Sequence, residues 1–96
     1  LDLDNHKLYF GKNGTLQSST GIDLDSGETY FIAQVDRTGT SEVSTFEFNF
    51  GSPSYSISSG NTDGEYGNFE YSTTITGDGA SKTFKALNSK NLAEYG

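Results

Sequence analysis

Two acidic clusters and one histidine are the side chains of this sequence that could do chemistry. Asp2 and Asp4 lie two residues apart. The second cluster surrounds a Ser-Gly turn and consists of Asp23, Asp25 and Glu28. Calcium takes about six to eight oxygen ligands, and neither spacing matches an EF-hand loop. We therefore expect a solvent-facing strand edge and an Asx turn at these positions, and no metal site.

Catalytic chemistry has little support in the remaining polar residues. His6 would need a nucleophile and an orienting carboxylate, and the sequence has no G-x-S-x-G element. Glu47 and Glu70 are the acids that could flank a glycosidic bond, but no pattern places them together. We expect His6 to belong to a turn, both glutamates to face outward, and the chain to be a non-enzyme without a cofactor.

A glycine-containing stretch at 11–14 could suggest a phosphate-binding loop. The stretch reads Gly-Lys-Asn-Gly, which lacks the G-x-x-x-x-G-K-[ST] pattern, and no helix is predicted to follow it. Asn-Gly is instead a strong signal for a tight turn. We therefore predict a turn at Asn13-Gly14.

Composition restricts the possible partners. Thirteen acidic residues against six basic ones give a net charge of −7, which argues against nucleic-acid backbones and anionic membranes. No apolar run approaches the roughly 20 residues that span a bilayer. The absence of cysteine excludes disulfides and thiolate metal sites. Many Ser, Thr and Gly residues, with seven Phe and six Tyr, favour an all-β, turn-rich fold of one domain or less.

Alternating apolar residues predict the strands. In the first half, strands at 1–4 and 7–10 are separated by a turn at Asn5-His6, and 15–25 is predicted to be a polar loop. The strongest strand is predicted at 29–36, centrally placed and paired with 42–50 across a turn at Gly39.

The second half is predicted to contain two further strands. These are 69–76 and 82–87, separated by a Gly77-Asp78-Gly79 turn. Residues 88–96 are expected to be coil or one helical turn anchored by Leu92 and Tyr95.

Three pieces of the sequence resemble SPRY (B30.2-like) domains. A D-L-D strand, a turn, a short aromatic strand and Asn13-Gly14 are similar to the central SPRY hairpin. FEFNFG at 46–51 is similar to a late strand ending in N-F-G, although Ser52, Pro53 and Tyr55 match the following segment only in part. FKALNSKNL at 84–92 is similar to the segment after SPRY-like domains in bacteriophage and other viral proteins. The resemblance implies an antiparallel, distorted β-sandwich that serves as a binding or structural module and is not an enzyme.

The same resemblance implies domain boundaries. Residues 1–87 would form part of the SPRY-like sandwich, with a loop insertion at 54–68 and a C-terminal tail at 88–96. The strands that normally precede the D-L-D hairpin are absent from the sequence, which has no Met. We therefore expect the C-terminal part of a longer domain, with partner strands from a missing N-terminal segment or another chain.

Ligands of SPRY-like modules are generally held by loops at one rim, which places the candidate loops at 15–25, 37–41 and 54–68. The candidate contact residues in these loops are Gln17, Arg37, Tyr55 and Tyr66. Tyrosines are favoured at protein and sugar contacts because they combine an apolar ring with a polar group. Tyr9 and Tyr95 are also expected to be partly exposed.

The leading hypothesis is a non-enzymatic virion structural or attachment-associated protein, assembled in the host cytoplasm. Its partners would be other copies, other virion proteins, or a host-surface protein or glycan, and neither nucleic acid nor membrane. Two alternatives stay open: an intracellular SPRY adaptor that recognises a short peptide, and an accessory carbohydrate-binding β-domain.

Overall fold

Short antiparallel hairpins dominate the computed structural model, which describes residues 1–36, 44–59 and 65–96. Its elements are β1 (Lys7–Leu8), β2 (Gly11–Lys12), β3 (Thr15–Leu16), β4 (Ile22–Asp23), β5 (Thr74–Gly77), β6 (Ala80–Thr83) and α1 (Ser89–Tyr95). The strands form three two-stranded antiparallel sheets, β1–β4, β2–β3 and β5–β6. The described part of the chain is therefore β-rich, with one short helix.

The chain reverses at Asn5-His6, as predicted. Asp2 and Lys7 form a two-way backbone bridge of 2.8 Å in each direction, and the Asn5 N–H donates to Asp2 Oδ1 at 3.1 Å. His6, rather than Asn5, takes the positive φ of 52°. The predicted strands at 1–4 and 7–10 are too long: only the bridge and β1 form, because β1 pairs with β4 instead.

The Asn13-Gly14 turn is confirmed, and it closes the β2–β3 hairpin. Both turn residues have positive φ, 50° and 76°, as a two-residue type I′ turn requires. The prediction of a polar loop at 15–25 is wrong, since β3 and β4 both lie within it. Leu16 pairs with Gly11 across this hairpin. The tight turn therefore brings residues 15 and 16 into a strand, although their sequence context is too polar to predict one.

The turn between β5 and β6 is also confirmed. Asp78 and Gly79 have φ of 50° and 77°, and the ladder runs directly up to them with Gly77 opposite Ala80. The predicted strands at 69–76 and 82–87 are displaced toward this turn. The reason is the two-residue connection, which fixes the register from its own ends outward.

The prediction of a central strand at 29–36 is wrong. These residues belong to no strand, and neither do residues 44–50; residues 42 and 43 and Gly39 lie outside the described part. Phe31 is 86% exposed on one face of the predicted strand and Ile32 is 64% exposed on the other, so neither face is fully covered by another layer. Strand preference reflects packing against neighbours, and here the described chain offers no neighbour.

The C-terminal helix is longer than the single turn predicted. Asn88 caps it, accepting the Asn91 N–H on Oδ1 at 2.9 Å, and the Gly96 N–H closes it on the Leu92 carbonyl. The predicted anchors are wrong, because Leu92 and Tyr95 are both at least half exposed. Asn91 is buried instead, and its Nδ2 donates to the neighbouring Ala86 carbonyl at 2.8 Å and to the Glu65 carbonyl of another segment at 3.1 Å. A polar contact therefore docks the helix.

Little apolar surface is buried in this arrangement. Ala86 is the one buried apolar side chain among the described residues. The accessible surface is 7399 Å², against roughly 5,400 Å² for a folded monomer of this mass. The radius of gyration is 15.0 Å, against about 12.5 Å for a compact domain of this length. The fold therefore leaves an open apolar face.

Gly77→Ala is expected to destabilise the fold. A Cβ on Gly77 would lie 2.6 Å from Cε1 of Tyr9, whose ring is held by a hydrogen bond through its hydroxyl. Overpacking of this kind costs about 1–3 kcal/mol, which urea unfolding followed by circular dichroism would measure.

Gly11→Ala is the matched control for that measurement. A Cβ there would lie at an ordinary 3.6 Å from the Thr15 carbonyl oxygen, so the midpoint should hardly change. Equal midpoints for the two variants would contradict the close packing of Tyr9 against β5.

Candidate functional site

The carboxylate of Asp78 connects the N-terminal hairpins to the β5–β6 hairpin. Its Oδ2 accepts the Tyr9 hydroxyl at 2.5 Å and the Gly21 N–H at 3.1 Å. The Asp78 N–H donates to the Ser19 carbonyl at 2.7 Å. The Asp-Gly turn places Asp78 at the hairpin tip, where its carboxylate and its backbone N–H together reach two segments, Tyr9 and residues 19–21.

These contacts shift the pKa values of both partners. The hydrogen bond to Asp78, helped by partial burial, raises the pKa of Tyr9 to about 12. The same hydrogen bond, with that from Gly21, lowers the pKa of Asp78. The Tyr9 ring also lies against Phe84, with centroids 6.1 Å apart. Asp78 is thus held ionised as an acceptor and is not poised to transfer a proton.

Two lysines complete this polar network. Lys7 bonds Asp23 across the β1–β4 ladder at 2.6 Å, and the hydrogen bond raises the pKa of Lys7. Lys82 of β6 bonds Asp2 at 3.0 Å, and these side chains are only 17% and 11% exposed. Partial burial opposes ionisation of Asp2, but hydrogen bonds from Lys82 and Asn5 lower its pKa. The network positions the hairpins and leaves none of these groups as a free base.

An apolar groove of about 940 Å³ is a prominent concave feature of the described part of the molecule. All but three of its lining residues are aliphatic or aromatic. They are Leu1, Leu3, Leu8, Phe10, Leu24, Tyr30, Phe31, Ile32, Ala33, Phe50, Phe84, Lys85, Ala86, Leu87, Asn91, Leu92, Tyr95 and Gly96. The groove therefore lies where the N-terminal hairpins, the 29–36 segment and α1 meet.

The groove suits binding rather than reaction. Its one charged lining residue is Lys85, whose Nζ lies 4.1 Å from the centroid of the Tyr95 ring. Carboxylate or histidine side chains do not line it. A concave apolar surface with few polar groups is the usual form of a docking or ligand site.

The acids and the histidine predicted from sequence do not assemble into a reactive site in the described residues. Asp23 pairs with Lys7, and Glu70 accepts the Ser58 N–H and hydroxyl at 3.0 and 2.6 Å. Those two hydrogen bonds lower the pKa of Glu70, the opposite of what a general acid needs. His6 lies exposed at its turn, and Glu47 is exposed. No group of three or more potential metal ligands is found in these parts of the chain.

Of the predicted contact residues, Gln17, Tyr55 and Tyr66 do not line the groove. Gln17 folds back on its own hairpin, donating from Nε2 to the Thr15 carbonyl at 2.9 Å. Tyr66 lies under Lys90 of α1, 3.8 Å from Nζ to the ring centroid, and the Glu94 carboxylate raises the pKa of Tyr66 to about 12. Tyr55 is 38% exposed, and Arg37 lies outside the described residues. Their role in ligand contact stays a prediction.

Sequence reasoning missed the groove because it assigned these apolar residues to a closed core. The available signal was the two-faced apolar pattern of 29–36, which demands cover on both sides. A count of the few aliphatic residues elsewhere would have indicated that this cover is scarce.

Comparison with known proteins gives no relative: no family model, curated protein or solved structure matches the chain. In the described ranges, no helix has the length and apolar character needed to cross a bilayer.

Asp78→Asn is expected to return the pKa of Tyr9 from about 12 toward 10.0, because the carboxylate that opposes tyrosinate is removed. In the folded wild type this raised pKa contributes stability that is complete below pH 10.0 and lost as pH rises through about 12. Ultraviolet titration of tyrosinate would show one tyrosine moving to lower pH.

Glu94→Gln is the matched control, because it should lower the raised pKa of Tyr66 and leave the pKa of Tyr9 unchanged. Superimposable titration curves for wild type and Asp78→Asn would contradict the Tyr9–Asp78 contact.

Proposed function

We propose that this chain is a non-enzymatic interaction module that completes its apolar layer against another polypeptide. The observation that carries the proposal is the apolar groove together with the exposure of its lining. Phe31 is 86% exposed and Ile32 is 64% exposed, although both have the side chains of a buried strand. Soluble monomers rarely expose contiguous apolar patches larger than a few hundred Å².

The energetics favour a partner. Each Å² of apolar surface removed from water contributes about 25 cal/mol, so covering the groove adds the stabilisation that the described chain lacks internally. The polar network around Asp78 and the Lys82–Asp2 pair hold the hairpins in place while the face stays open. Such an arrangement resembles one side of an interface more than a self-contained core.

The sequence resemblance extends the proposal to a biological setting. The module would be part of a SPRY-like β-sandwich in a virion-associated structural or attachment protein. The missing layer would then come from other copies, other virion proteins, or a host-surface protein or glycan. The sequences D-L-D at 2–4, N-F-G at 49–51 and F-K-A-L-N-S-K-N-L at 84–92, in that order along the chain, support this setting.

Ile32→Ser is expected to reduce the fluorescence of the apolar dye ANS bound to the chain by about half or more, because Ile32 lines the groove. Exposure of apolar surface is what this dye reports. Dye titration at fixed protein concentration makes the measurement, with circular dichroism confirming that the variant keeps its secondary structure.

Val35→Ser is the matched control for the dye experiment. Val35 is on the same segment and 80% exposed but does not line the groove, so dye fluorescence should change little. Absence of dye binding by the wild type, or equal losses in the two variants, would overturn the groove as the interaction surface.

A further inference from the structure

We infer that the groove takes an extended segment of another polypeptide, apolar along one face and flanked by basic residues, which adds as a β-strand beside residues 30–33. This inference rests on the proposed function and names the occupant of the same groove. Three independent features of the described residues lead to it: open backbone groups, strand-forming side chains and the distribution of charge.

Toward the described parts of the chain, the backbone of residues 30–33 is unpaired. These residues make no backbone hydrogen bond to the described parts of the chain, and none of them has a positive φ. An unpaired stretch of N–H and C=O groups is a template for strand addition. The Tyr30 hydroxyl donates to the Asp25 carbonyl at 2.9 Å, which fixes the start of the segment at the groove.

The side chains of this segment are those of a strand. Tyr30, Phe31 and Ile32 have high β preference, and all three line the groove. A strand laid beside them would pair with their backbone while its apolar face covers the groove. One added strand would thereby pair the backbone N–H and C=O groups of this segment and cover its exposed apolar side chains.

The net charge of −7 favours a basic partner over an acidic one. Four of the five lysines already contact this chain's own groups: Lys7 and Lys82 pair with carboxylates, and Lys85 and Lys90 lie over tyrosine rings. Asp4 and Asp25 adjoin the groove-lining Leu3 and Leu24 in sequence. Neither carboxylate makes an ion pair with the described residues.

A second copy of this chain fits the groove less well. Each chain carries a net charge of −7, so self-association would bring two strongly acidic bodies together. Opposite charge around an interface raises association rates and suppresses wrong partners, which favours a cationic segment over another copy.

A peptide panel tests the inference. The probe is a peptide of about nine residues, longer than an average strand, alternating Val with Thr and carrying two Lys at each end. One control replaces the Lys residues with Glu; a second keeps every side chain but methylates alternate backbone nitrogens. Fluorescence anisotropy with the full chain measures affinity, and hydrogen exchange measures protection at residues 30–33.

The expected result has four parts. The basic peptide binds and protects the amides of residues 30–33; the acidic peptide binds at least about tenfold more weakly; N-methylation removes binding by blocking the ladder; and added salt weakens binding through screening. Ile32→Ser weakens binding about tenfold, whereas Val35→Ser changes it less than about twofold.

Other outcomes overturn the inference in distinguishable ways. Equal affinity for acidic and basic peptides removes the charge argument, and retained binding of the N-methylated peptide removes strand addition. A dimer in sedimentation that Ile32→Ser dissociates makes a second copy the occupant. Dye binding that depends on Ile32 without peptide binding leaves the proposed function standing and rejects this occupant.

Discussion

The carboxylate of Asp78 is the interaction on which the arrangement of this chain depends. It lies at the tip of β5–β6 and receives donors from Tyr9 and Gly21, while its own backbone N–H bonds Ser19. Hydrogen bonds to charged groups are about twice as strong as neutral ones. With so little apolar burial, the contacts of Asp78 to Tyr9 and to residues 19–21 supply tertiary order that a core would normally provide.

This division of labour explains the location of the groove. The polar network and the Lys82–Asp2 pair bind the N-terminal hairpins to β5–β6, and Leu1, Leu3, Leu8 and Phe10 of the N-terminal part line the groove. Asn91 attaches α1 to the carbonyls of Ala86 and Glu65. The elements that carry the apolar face are thus held in place before a partner binds. This preorganisation lowers the conformational entropy lost on binding.

The turns were predictable from sequence, and most strands were not. The turns at Asn13-Gly14 and Asp78-Gly79 follow from their residue types, because Asn, Asp and Gly adopt a positive φ at little energetic cost. The 29–36 stretch has the right side chains for a strand but needs a partner that local sequence cannot supply. The groove could not be predicted because it consists of residues expected to bury one another. The role of Asn91 was hidden for the same reason, since its Nδ2 also donates to the carbonyl of Glu65, which lies far from α1 in sequence.

The close approach of Tyr9 to two glycines has an evolutionary consequence. A methyl group at Gly21 or Gly77 would lie within 3 Å of the ring, so neither position tolerates drift while the aromatic residue remains. Distant descendants of this sequence should therefore preserve the trio together, or lose all three in a concerted exchange, even where the rest has diverged beyond recognition. That small signature offers a way to trace ancestry that overall similarity does not.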